Sequence, residues 1–128
     1  MKDKPITKNG FARIRHAFLY SLNGLNIAIR NEDAFKQEVL LFIVLLVILF
    51  FLPISIVFKS ILFFANTLFL IVELVNSAIE SIVDMTSPEY HELAKRAKDL
   101  GSAAVFISLI LAIVLWGNAI YVIFMDGH

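Results

Sequence analysis

Ser60 to Asp84 reads SILFFANTLFLIVELVNSAIESIVD. The run is uncharged and apolar as far as Val72, and then Glu73 interrupts it. Glu73, Asn76, Glu80 and Asp84 follow one another at spacings of three, four and four, which places all four on one face of a helix. From Lys59 to Glu80 a helix rises about 31 Å at ~1.5 Å per residue, matching the hydrocarbon thickness of a bilayer. The stretch therefore reads as a membrane helix carrying a polar stripe, with Glu73 about 10 Å deeper than Glu80 by the same rise. A carboxylate at that depth is costly unless protein or water covers it, and such residues are usually functional. For one buried Glu, a hydrogen-bonding stripe that holds an assembly together competes evenly with function. Two Glu flanking an Asn favour function.

Working outward, Gly101 to Met125 is uncharged and long enough to span. Val39 to Leu52 is shorter and ends at Pro53, and Ala34 to Glu38 extend it to a span if Lys36 and Glu38 lie at the interface. Leu52 to Ser55 makes a tight turn, and Ser87-Pro88 breaks the chain before the last helix. Upstream, Phe11, Ile14, Phe18, Leu22, Leu25 and Ile29 recur every three or four residues, an amphipathic helix. Its basic residues suit the membrane interface, although it can equally pack on the protein's own cytoplasmic surface. Asn31 is the expected cap of the next helix, with Glu32 and Asp33 in its first turn. The fold class expected is an all-α membrane protein: a surface helix at about 10–30 and membrane helices at about 33–52, 56–84 and 90–125, forming one domain over residues 1–128.

Composition agrees. Hydrophobic residues make up 59% of the chain, twelve of them Phe, and the mean hydropathy is +0.83. A small soluble fold leaves too much surface exposed to hide so much apolar material. The formal net charge is zero, so bulk attraction to nucleic acid is not expected. With no cysteine, thiolate chemistry is excluded. No small-residue cleavage site follows the basic N-terminal residues, so no signal peptide is expected there. Lys2, Lys4, Lys8, Arg13, Arg15, Arg30 and Lys36 precede the first span, and Lys95, Arg96 and Lys98 lie between the second and third. Lys59 alone marks the other side. The positive-inside rule thus puts the N-terminus and the 84–99 segment in the cytoplasm and the C-terminus outside.

Other residues bear on chemistry. Glu32 and Glu38 bring carboxylates to the same membrane face as Glu80. Each alone is an ordinary interfacial charge, but together they are hard oxygen donors of the kind Mg²⁺ accepts, alongside phosphate and water. Lys98 can meet a phosphate, with Asp99 fixing its geometry. Snorkelling and orientation bias account for Lys95 and Arg96. Gly101-Ser102-Ala103-Ala104 is small enough for close helix approach, and Trp116 reads as an interfacial or packing aromatic. Neither GxxxxGK[ST] nor GxGxxG occurs, which removes the common phosphate-binding loops.

Val72 to Asp84 (E-x-x-N-x-A-I-E-x-x-V-D), followed by Glu89-Tyr90-His91-Glu92-Leu93-Ala94-Lys95-Arg96-Ala97-Lys98-Asp99, resembles the signature of the prokaryotic integral membrane diacylglycerol kinases. The likeness extends upstream through Asn31-Glu32 and Ala34 to Glu38. It implies ATP-dependent phosphorylation of diacylglycerol to phosphatidate at the cytoplasmic face of a bacterial inner membrane. It also implies a homotrimer whose protomers share active sites. Matched by position, it gives Glu73 the general-base role and assigns Glu32 and Glu80 to the divalent metal, Mg²⁺. Asn76, Lys98 and Asp99 fall among catalytic and phosphate-contacting positions. Arg13, Tyr20, Glu89, Tyr90 and His91 match nucleotide-contacting positions, and Arg13, Gln37, Glu38, Glu73, Ser102 and Trp116 match positions near the lipid. His16, Leu22, Asn23 and Asn26 depart from the pattern in the surface helix. The alternatives are undecaprenol kinase, with the same stripe and a polyprenol substrate, and a non-catalytic membrane assembly protein or transporter. No internal repeat of the transporter kind occurs.

Overall fold

The computed structural model describes residues 9–86, 89 and 91–126. Over these the chain is helical: α1 (Gly10–Asn31), α2 (Asp33–Phe51), α3 (Ile56–Thr86) and α4 (Glu92–Asp126). The last three are long and apolar enough to cross a membrane, and α1 precedes them. Two compact units result, one running to Lys36 and the other from Gln37 onward.

In the first unit, Asn9 starts α1 by accepting the Ala12 N–H on its side-chain oxygen at 2.9 Å, which satisfies one of the orphan donors of a first turn. The apolar stripe of α1 is uncovered, with Phe11, Ile14 and Phe18 at 82%, 71% and 61% exposure. The helix ends at Glu32, which is extended at φ −124° and ψ 107° and donates its N–H to the Ala28 carbonyl. The Glu32 carbonyl in turn accepts from the Lys36 N–H at 3.1 Å, opening α2. The expected cap is therefore displaced by one position. Asn31 is the last residue of α1, and Glu32 is the joint between the two helices. Nothing before Asn31 stops the helix: the periodic residues continue to Ile29, and Arg30 complements the negative end of the helix dipole.

In the second unit, α2 and α3 are joined around Pro53. The Ile54 N–H donates to the Leu52 carbonyl at 2.9 Å, a γ-turn that the fixed proline φ suits. Ser55 caps α3 by accepting the Phe58 N–H at 3.1 Å. Lys59 Nζ donates to the Phe50 carbonyl at 3.0 Å, satisfying an otherwise orphaned carbonyl at the end of α2. The principal packing is α3 against α4. At the Pro53 end, Leu49 of α2 joins Leu62 and Ala119 in a buried cluster, with Phe58, Leu115 and Trp116 against it. Further along, the Phe42 ring lies 6.1 Å from that of Phe63. With 31 and 35 residues, α3 and α4 are about 46 and 52 Å long, well beyond a hydrocarbon layer of ~30 Å. The excess carries Asp84 and Lys98 clear of the apolar part.

Candidate active site

The stripe read from the sequence forms as a continuous face of α3. Glu73 and Asn76 are partly buried and Glu80 is exposed. Asn76 Nδ2 donates to Glu80 Oε1 at 3.2 Å, an i,i+4 bond along the helix. The carboxylate oxygen is the acceptor and the amide nitrogen the donor, so the nitrogen end of the Asn76 amide faces Glu80. Asn76 Oδ1 then points inward, buried and without a hydrogen-bond donor among the described residues.

Gly101 of α4 covers that oxygen. A Cβ on Gly101 would collide with Asn76 Oδ1 and come within 3.3 Å of Asn76 Cγ and 3.8 Å of Ile79 Cδ1. Glycine is needed here for close approach, since only a missing side chain lets α4 lie on the Asn76 amide. Of the four small residues in the sequence, Gly101 alone is buried; Ser102, Ala103 and Ala104 are exposed.

Beyond Gly101, Lys98 reaches across to α3, with Nζ 2.6 Å from Asp84 Oδ1. Lys98 and Asp99, read as a unit in the sequence, part company. Asp99 accepts from Lys95 Nζ at 2.6 Å along α4 itself, while Lys98 turns to the α3 stripe. Successive residues on a helix lie ~100° apart, so the two side chains take different directions.

The remaining sequence candidates are distributed as follows. Arg13 and Tyr20 are exposed on α1, and Glu32 is partly buried at the joint. The Tyr20 ring is 6.3 Å from that of His16. Gln37 and Glu89 are exposed, and Tyr90 lies outside the described residues. His91 precedes α4 and accepts the Leu93 N–H on Nδ1 at 3.1 Å, an imidazole acting as a helix cap. Glu38 and Trp116 line a cleft of about 220 Å³ between α2, α3 and α4, together with Phe42, Leu45, Asn66 and Leu109.

One polar contact was not anticipated. Trp116 Nε1 donates to Asn66 Oδ1 at 2.9 Å, with Asn66 only 7% exposed in the middle of α3. The signal was present as a lone Asn66-Thr67 pair inside the apolar Ser60–Val72 run, a place where polar side chains usually find a partner on a neighbouring helix.

Among the described residues, no three His, Asp or Glu side chains converge as a metal cage. Glu80 still fits a hard cation, because one carboxylate oxygen is engaged by Asn76 and the group is exposed. Mg²⁺ is commonly held by one or two carboxylates completed by phosphate oxygens and water.

Comparison with known proteins adds the family. The family described as Prokaryotic diacylglycerol kinase matches residues 19–120. Diacylglycerol kinase of Escherichia coli (strain K12) is 46% identical over 107 residues, covering 84% of this chain and 88% of the relative. That of Pseudomonas aeruginosa is 46% identical over 111 residues, covering 87% and 90%. That of Helicobacter pylori (strain 26695) is 38% identical over 121 residues, covering 94% of each. A polar stripe in a membrane helix, a lysine drawn onto it from the next helix, and a match along most of the chain agree: this protein belongs to the prokaryotic diacylglycerol kinase family and is an integral membrane lipid kinase.

Proposed function

We propose that the chain transfers the γ-phosphoryl group of ATP to the free hydroxyl of diacylglycerol, giving phosphatidate and ADP at the cytoplasmic face of a bacterial membrane. Glu73 takes the hydroxyl proton as that oxygen bonds to the γ-phosphorus. The bond from γ-phosphorus to the bridging oxygen breaks, and its electron pair leaves with ADP. Such a transfer asks a protein mainly for positioning and charge neutralisation. Lys98 neutralises phosphate charge, and Asn76 holds the Glu80 carboxylate in place. Glu80 offers an oxygen to the divalent cation, and Glu32, in the first unit, is assigned to the same ion by resemblance. Mg²⁺, when bound, supplies Lewis-acid neutralisation of the phosphate oxygens. Asp99 and the 89–91 segment are assigned to the nucleotide, and Arg13 and Tyr20 of α1 likewise. Arg13, Gln37, Glu38, Ser102 and Trp116 are assigned to the lipid.

One juxtaposition carries this reading: the Lys98 ammonium is bonded onto the face of α3 that bears Glu73, Asn76 and Glu80. Cation and carboxylates thus share one end of the α3–α4 pair, as a phosphate–metal site requires. A homotrimer with shared sites is part of the proposal. It is supported by Glu73, whose own chain leaves it partly exposed within an apolar helix. The basic residues before α2 and between α3 and α4 support the cytoplasmic orientation.

The test is direct. Purified protein in mixed micelles with labelled ATP and Mg²⁺ is offered diacylglycerol and undecaprenol side by side. Label should enter diacylglycerol. Preferential labelling of the polyprenol would overturn the substrate assignment, and labelling of neither lipid would overturn the reaction.

A further inference from the structure

Asp84 closes the α3 stripe, and the mechanism above gives it no task. Its carboxylate is 66% exposed and the Lys98 side chain 45% exposed, a setting in which ion pairs contribute little to stability. Nor does the helix pair depend on it for register. Asn66 with Trp116, Leu62 with Ala119, and Gly101 on Asn76 already fix how α4 lies along α3. The bond is short at 2.6 Å and joins different helices, whereas Lys95 with Asp99 is an i,i+4 pair within one helix.

We infer that Asp84 is a positioning residue for the kinase reaction, holding the Lys98 ammonium beside Glu80 so that it meets the nucleotide's phosphates already aimed. Lysine carries its charge on a flexible four-carbon stem with three donors. A bond to Asp84 occupies one donor, limits the sweep of the stem and leaves the other two for phosphate oxygens. Asp84 lies one helical turn from Glu80 on the same face, and the Glu80 charge also acts on Lys98. The ammonium therefore rests within one turn of the carboxylate proposed to hold the metal. Pre-aiming of this kind acts on nucleotide affinity by reducing the ordering required on binding. It leaves the lipid and the proton-transfer step alone.

This inference rests on the reading of Lys98 as a phosphate ligand, and the experiment separates the two. Full-length protein in mixed micelles is assayed for kcat, for KM toward MgATP and toward diacylglycerol, and for thermal unfolding. The variants are Lys98→Met, Asp84→Asn, Asp84→Glu and the exchange Asp84→Lys/Lys98→Asp. Lys98→Met should lose most activity; if it does not, the phosphate-ligand reading itself fails. Asp84→Asn should raise KM for MgATP about tenfold, the equivalent of one charge-assisted hydrogen bond. Its KM for diacylglycerol and its unfolding should stay as in the parent, and Asp84→Glu should recover part of the loss. The exchanged pair restores the ion pair and should stay inactive. Recovery of activity in the exchange, an unchanged KM for MgATP in Asp84→Asn, or a large loss of its thermal stability would each show the pair to be structural and overturn the inference.

Discussion

The indole N–H of Trp116 and the side-chain oxygen of Asn66 meet at 2.9 Å, joining α4 to α3 inside the apolar part of both helices. Breaking this bond from one side leaves a buried polar group without a partner. Asn66→Leu and Trp116→Phe should each destabilise the fold by about 1–2 kcal/mol. The double variant should lose less than the sum, with a coupling of ~0.6–1.7 kcal/mol. Reversible unfolding in mixed detergent measures this, and strictly additive losses would show that the bond contributes nothing.

Gly101 lies against the amide that orients Glu80. Gly101→Ala should push Asn76 off the carboxylate, since the added Cβ meets Asn76 Oδ1. A fall in kcat of about tenfold is expected from the lost hydrogen bond. Gly117, whose Cβ position is open, is the control. Gly117→Ala should be neutral in activity and more stable by ~0.5–1 kcal/mol on helix propensity alone. Equal activity in the two variants would remove Gly101 from the site.

Glu73→Gln keeps the shape and removes the carboxylate proposed as the base. Its kcat should fall by roughly 10²–10⁴, with KM for both substrates little changed, the pattern of a group that acts only in the transition state. Steady-state assays at saturating lipid read this, and near-normal kcat would exclude Glu73 as the base.

Chelation by EDTA should abolish activity, and added Mg²⁺ should restore it. In Glu80→Gln the Mg²⁺ concentration for half-maximal rate should rise at least ~10-fold, the scale on which losing a metal-supporting group lowers affinity. A parental Mg²⁺ titration in this variant would take Glu80 out of the metal site.

The helical architecture could be read in advance because it depends on local quantities. Apolar runs of bilayer length, Pro53 between two of them, and residues three or four apart are visible without partners. The stripe of Glu73, Asn76 and Glu80 was legible for the same reason, since one helix suffices to align it. Relations between helices were not. The i,i+4 spacing of Lys95 and Asp99 is local, but nothing local shows that Lys98 crosses to Asp84. Gly101 looked like one of four equivalent small residues until Asn76 was found beneath it. The joint at Glu32 was missed by one position, because Asn31 has the chemistry of a cap but the helix runs through it.

The antiparallel contact of α3 and α4 makes the membrane interior a gauge for the chemistry. The height of Lys98 along the stripe follows from the register of α4 on α3, to which Trp116 on Asn66 contributes from about 21 Å along α3 from Glu80 at ~1.5 Å per residue. A substitution in the buried α3–α4 seam can therefore mistune, from a distance, the phosphate contact proposed for Lys98. Variants with impaired nucleotide use should be sought among the deep apolar residues of α3 and α4 as well as at the charged end.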